Sequence, residues 1–88
     1  MRYWNAFVGD EPHRTVSDVT LSSWEAARAG LLAFARVQLK NEQAPDGCPH
    51  CVDSAEQVVA DLVALPPESR WRGHIGVNEF VLRSAVLR

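Results

Sequence analysis

Long hydrophobic runs are missing from this 88-residue sequence, and cysteine and lysine are scarce. The longest uninterrupted apolar run covers the five residues from Leu31 to Ala35, whereas a membrane-spanning helix needs about 20 apolar residues. Two cysteines are too few for the multiple disulfides that stabilise small secreted domains. We therefore predict one globular domain over residues 1–88, with no membrane partner.

We also expect no secretory leader, because the first residues contain no long apolar stretch and no cleavage pattern. The sequence therefore predicts a cytoplasmic protein. Eight arginines stand against one lysine, and alanine and valine each occur eleven times. This usage is typical of a high-GC bacterial genome and agrees with an origin in a phage or mobile element.

Complete catalytic signatures are absent as well. The five glycines are scattered, so no glycine-rich loop is present to hold a phosphate. No nucleophile elbow or comparable serine motif occurs. We therefore predict a non-enzymatic protein that binds another protein and exists as a monomer or a homodimer.

Charge is unevenly distributed, although the formal net charge is only −2. Residues 41–69 carry six acids and no lysine or arginine, whereas residues 70–88 carry four arginines and one acid. We interpret these segments as solvated faces of an ordinary domain, which can also attract each other within the fold.

Residue patterns predict an α+β fold. Aromatic content favours a strand over residues 2–8, and β-branched residues favour a weaker second strand over residues 15–20. Apolar residues at helical spacing predict one helix over residues 24–40 and a second that ends at Leu65. Alternation over residues 70–87 predicts a β-hairpin, and a short C-terminal helix from Asn78 is the alternative. The predicted order is β(β)ααββ, a small antiparallel sheet with open edges and two helices on one face.

Local signals predict where the helices begin. Ser22 with Glu25 three residues later is typical of a capping box for the first helix. The second helix has two candidate starts, one capped by Asp53 and one with Cys48 as the cap and Pro49 as the first helical residue. The residues that we expect in the core come from every element: Trp4, Phe7, Trp24, Leu31, Phe34, Val58, Leu62, Trp71 and Phe80.

The segment Cys48-Pro49-His50-Cys51 carries the clearest chemistry. Its two thiols resemble a zinc knuckle, in which a tight turn directs two thiolates at one metal ion. Zinc takes four ligands, so His13, His50 and His74 are candidates to complete the set, and a second copy of the chain can also supply a cysteine pair. An alternative function is therefore a zinc-binding accessory or nucleic-acid-associated module.

The Pro-His dipeptide between these cysteines resembles the active-site dipeptide of thiol oxidases of the DsbA type. This resemblance covers the four residues of the motif and implies Cys48 as the nucleophile and Cys51 as the resolving thiol. A helix N-terminus stabilises such a thiolate. A second alternative function is therefore thiol-disulfide exchange, although residues 43–46 are typical of a loop and not of the buried strand that precedes such sites.

The interpretation that we favour from the sequence requires no metal or cofactor. Both thiols stay reduced, and Cys51 packs as a small apolar residue on the buried row of the second helix.

Basic residues of the C-terminal hairpin form a candidate contact surface for nucleic acid or a protein partner: Arg70, Arg72, His74 and Arg83. Alternation directs Trp71 to the opposite face, where it cannot stack on a base. Because the net charge is also negative, we do not expect a nucleic-acid partner. The acids that we expect to pair with these basic residues lie in the middle segment: Glu56, Asp61 and Glu68.

Overall fold

The computed structural model describes residues 2–9, 14–15 and 23–86, and its α+β architecture confirms the predicted fold class. Its elements are β1 (Arg2–Gly9), β2 (Arg14–Thr15), α1 (Trp24–Glu42), α2 (Pro49–Ala64), β3 (Trp71–Ile75) and β4 (Asn78–Val86). The described part of the second strand is only two residues long, and residues 16–20 of the predicted strand lie outside the described ranges.

The strands form one antiparallel sheet in the order β2-β1-β4-β3. β1 pairs with β4 along its full length, from Arg2 opposite Val86 to Gly9 opposite Glu79. β3 and β4 form the predicted hairpin, and its two-residue turn contains Gly76 at a φ of 60°. That backbone conformation is accessible to glycine without the steric cost of a Cβ. β3 is therefore an edge strand, and within the described ranges it pairs with β4 alone.

Both helices pack on the same face of the sheet. α1 contacts β1 and α2, while α2 contacts β3. Alternation along β1 directs Trp4, Ala6 and Val8 toward the helices, and all three are buried. Neither α1 nor α2, the helices of the described ranges, has the length and apolar content that crossing a membrane requires.

α1 is capped by Ser23, and the predicted cap at Ser22 is wrong by one residue. The Ser23 hydroxyl oxygen accepts a hydrogen bond from the backbone N–H of Ala26, at 3.1 Å. This shift places Glu25 at the second helical position, one residue too early for a capping box. α1 also continues two residues past the predicted end and finishes at Glu42.

α2 uses the second of its two predicted starts. Cys48 is the N-cap in an extended conformation, and Pro49 is the first helical residue. A proline is well suited to that position, because a helix has no partner for the N–H that proline lacks. The apolar row of Ala55, Val58 and Leu62 is buried, as the helical spacing predicts.

The aromatic core differs from the prediction at three places, because Phe7 lies outside it and Phe34 and Trp71 are only half-buried. Phe7 lies on the sheet face opposite the helices, where the guanidinium carbon of Arg83 is 4.6 Å from the centre of its ring. Its placement in the core was wrong, because it alternates with Trp4, which does face the helices. Trp71 is only half-buried, at the edge of the core. Phe34 packs edge-on against Phe80, with ring centres 6.0 Å apart.

Candidate metal centre

Three potential metal ligands converge where the end of α1 meets the start of α2. They are the sulfurs of Cys48 and Cys51 and a carboxylate oxygen of Glu42, and all three atoms lie within 4.8 Å of one another. Each residue is half-buried. The pair of thiols that the sequence identified therefore has a third neighbour that can bind a cation.

Gly47 allows Glu42 to lie beside Cys48. A Cβ at Gly47 would overlap the backbone of Glu42, so the chain between the helices can fold back this closely only with glycine there. The N–H of Gly47 donates to the carbonyl of Ala44 at 2.8 Å and holds the turn closed. In this position Oε2 of Glu42 accepts a hydrogen bond of 2.8 Å from the backbone N–H of Cys48.

Cys51 lies against the β3–β4 turn. A Cβ placed on Gly76 would be 3.3 Å from the Cys51 sulfur, so the turn and the thiol are in close contact. Gln38 of α1 binds the same hairpin, because its amide nitrogen donates to the Ile75 carbonyl at 3.4 Å and its amide oxygen accepts from Asn78 at 3.2 Å. Two helices and the hairpin turn thus position the candidate site.

The two thiols differ in acidity. A hydrogen bond from the Cys51 thiol, together with the backbone N–H of Cys51, lowers the pKa of Cys48 below its usual value. The same thiol–thiol hydrogen bond, with burial, raises the pKa of Cys51 to about 11. The negative charge of Glu42 acts on both thiols and raises the pKa of each. A bound divalent cation would reverse this repulsion and displace the remaining thiol proton.

We expect iodoacetamide to alkylate Cys48 at lower pH than Cys51, because the thiolate is the reacting form. As pH rises, the Cys48 rate should increase first, while Cys51 should stay slow until the pH approaches its pKa of about 11. The rates are measured on reduced, metal-free protein by fragment-ion mass spectrometry, which distinguishes the two cysteines of one peptide. Equal rates at every pH would contradict the hydrogen bond between the thiols.

The structure places the predicted histidine ligands elsewhere, as far as they are described. His50 has an exposed side chain in the first turn of α2. His74 lies on β3, with Nε2 3.5 Å from a carboxylate oxygen of Glu79. His13 lies outside the described residues. Within the described ranges the third ligand beside the thiols is therefore a carboxylate and not an imidazole.

The basic residues of the hairpin region are exposed, as a contact surface requires: Arg70, Arg72, His74 and Arg83. Nε of Arg72 lies 3.5 Å from the same Glu79 oxygen that His74 approaches. The prediction that Arg72 pairs with an acid of the middle segment is therefore wrong, because Glu79 on the neighbouring strand is its partner.

Glu42 is the candidate ligand that sequence reasoning missed. Because the first helix was predicted to end near Lys40 and residues 41–47 to form a polar loop, Glu42 had no predicted position. A carboxylate six residues before Cys48, with Gly47 between them, is the available signal. That signal becomes specific only when α1 is known to continue to Glu42.

No protein-family model, curated protein or solved structure matches this chain. Its function is therefore inferred from the geometry of the site.

Proposed function

We propose that this protein is a small non-enzymatic module that binds one zinc ion through Cys48, Cys51 and Glu42. The observation that supports this function is the convergence of two sulfurs and one carboxylate oxygen within 4.8 Å. Thiolate and carboxylate are both ligands that zinc accepts. We further propose a cytoplasmic location, in which the thiols stay reduced and available to the metal.

Three protein ligands leave one position of a zinc tetrahedron open. Water or a group from a partner molecule can fill that position. A zinc ion there would connect the end of α1 to the start of α2 and would stabilise the module when bound.

Glu42 also has a structural role, because it satisfies the Cys48 N–H at the start of α2. An experiment on this residue must separate that hydrogen bond from metal binding. Glu42→Gln does so, since the amide oxygen still accepts the hydrogen bond while the negative charge is lost.

Elemental analysis of reduced, zinc-loaded and desalted protein tests the proposed function. We expect one zinc per chain in the natural sequence and none in Cys48→Ser or Cys51→Ser. Glu42→Gln should bind zinc at least about tenfold more weakly, since it loses a charged ligand. His50→Ala is the matched control, because its exposed side chain adjoins the thiols without belonging to the ligand group, and it should keep its zinc. Zinc retained in Cys48→Ser, or no zinc in the natural sequence, would contradict the proposal.

Thiol-disulfide exchange is a second candidate function, favoured by two sulfurs within 4.8 Å of each other at the start of a helix. In this reaction the Cys48 thiolate attacks a disulfide of a partner protein, forming a mixed disulfide and releasing one partner thiolate. Cys51 then loses its proton and attacks the Cys48 sulfur, which forms the Cys48–Cys51 disulfide and releases the second partner thiolate. The charge of Glu42 opposes this reaction, because it disfavours the attacking thiolate.

An insulin reductase assay with dithiothreitol distinguishes the two functions. Turnover by zinc-free protein that is lost in Cys48→Ser would favour exchange. Zinc-free protein no faster than dithiothreitol alone would favour the metal-binding module.

A further inference from the structure

We propose that the groove between α2 and β3 binds an extended, lysine- or arginine-bearing peptide segment of another protein. The segment adds to the free edge of β3 as a further strand. This site is separate from the thiol pair, so it does not depend on the zinc proposal.

The free edge of β3 supplies the backbone groups for this interaction. Ile75 and Asn78 flank a two-residue turn, so they form a hydrogen-bonded pair, and the antiparallel pattern alternates from there. Arg72 and His74 therefore direct their backbone N–H and C=O groups away from β4. Within the described ranges no strand pairs with that side of β3. Exposed edges of this kind accept extended peptides by strand addition.

An apolar floor lies beside this edge. Val58 of α2 and the indole of Trp71 line the groove. Gly73 shapes it, because a Cβ there would lie 2.5 Å from Cζ2 of Trp71, and its absence lets the indole lie along the strand. Trp4 and Trp24 are at most 6% exposed, whereas Trp71 is half-buried and accessible from the groove. A partly exposed tryptophan in a groove is a common anchor of binding energy.

The wall of the groove is acidic and favours a basic peptide. Asp53 and Asp61 line it from α2, and the Gln57 amide donates to a carboxylate oxygen of Asp61 at 2.7 Å. His74 lines it from β3, with its Nε2 3.5 Å from a carboxylate oxygen of Glu79. Residues 41–69 contain no lysine or arginine, so α2 itself supplies no positive charge beside these acids. Opposite charge across such a surface guides binding and selects the partner.

A second copy of the chain fits this edge less well than a basic peptide does. Antiparallel pairing of two β3 strands would bring the Arg72 guanidinium groups of both copies onto one sheet face. Like charges in neighbouring strands are destabilising, although Glu79 lies 3.5 Å from Arg72 in each copy. A basic peptide instead places its charge against the acidic wall of α2.

Selection from a displayed library of random dodecapeptides tests this proposal. We expect the enriched sequences to alternate apolar and polar residues and to carry lysine or arginine. A selected peptide is then synthesised with fluorescein, and its affinity for protein variants is measured by anisotropy. A version with glutamate in place of each basic residue should bind at least about tenfold more weakly.

Arg72→Pro is the critical variant, because it removes one outward N–H while an edge strand tolerates proline at such a position. It should weaken peptide binding at least about tenfold, whereas Arg72→Thr, which keeps the N–H, should bind as the natural sequence does. Asp53→Lys is a second test that leaves β3 unchanged. Asp53 is exposed on α2, so this variant does not depend on whether the strand accepts proline. It should also weaken binding by about tenfold or more, through like-charge repulsion.

Four results of the binding experiments would overturn the proposal. In the selection, these are no enrichment over an uncoated control and enriched peptides without basic residues. In the anisotropy measurements, they are equal peptide affinity of folded Arg72→Pro and Arg72→Thr, and equal peptide affinity of Asp53→Lys and the natural sequence. Sedimentation equilibrium gives a further check. A dimer that Arg72→Pro converts to a monomer would overturn it in favour of self-pairing.

Discussion

Replacing Leu62 by alanine is expected to lower the free energy of unfolding by about 2–4 kcal/mol. Leu62 is fully buried in the apolar row of α2, so the shorter side chain leaves a cavity. For a chain of 88 residues the total free energy of unfolding is about 4–13 kcal/mol. The variant therefore loses a large part of its stability, which urea unfolding followed by circular dichroism measures.

Val63→Ala is the matched control for this variant. Val63 is the next residue of the same helix, but its side chain is 56% exposed. Its replacement should change the free energy of unfolding by no more than about 0.5 kcal/mol. Equal losses at the two positions would contradict the buried face assigned to α2.

Saturating zinc is expected to raise the free energy of unfolding of the reduced protein by about as much as Leu62→Ala lowers it. A ligand that binds only the folded state adds about 2.7 kcal/mol when its free concentration is 100 times its dissociation constant. For a domain of this size that corresponds to a rise in melting temperature of about 10–20 °C. The rise should diminish as pH falls, because protons then compete with zinc for the two sulfurs.

Two controls test whether the rise in melting temperature comes from zinc at this site: one replaces the metal ion, and the other replaces a ligand residue. Magnesium should give no rise, since it prefers oxygen ligands and keeps its water shell. Cys48→Ser should melt at the same temperature with and without zinc. A rise that persists in this variant would place zinc binding elsewhere in the chain.

The order of elements was predictable from the sequence because periodicity reports burial directly. The row of Ala55, Val58 and Leu62 repeats at helical spacing, and the hairpin residues alternate. Phe7 was misplaced because aromatic content was given more weight than alternation, which already separates Phe7 from Trp4. The α1 cap differed by one residue, since Ser22 and Ser23 have the same side chain and only the geometry selects between them.

Two of the three ligands of the candidate metal centre were predictable. The spacing of Cys48 and Cys51 is a local property of the sequence, and the Cys48 cap with Pro49 correctly indicated one possible start of α2. Glu42 was missed because its position depends on where α1 ends and on how closely Gly47 approaches it. Such contacts between helix ends have no periodic signal.

The pairing of β1 with β4 has a consequence for folding during synthesis. Its register joins Arg2 to Val86, so the central strand pair forms only after nearly all of the described chain has left the ribosome. Until then the apolar rows of α1 and α2 lack most of the sheet that covers them. The nascent helices therefore offer a transient binding surface to chaperones, and folding should be limited by this long-range closure.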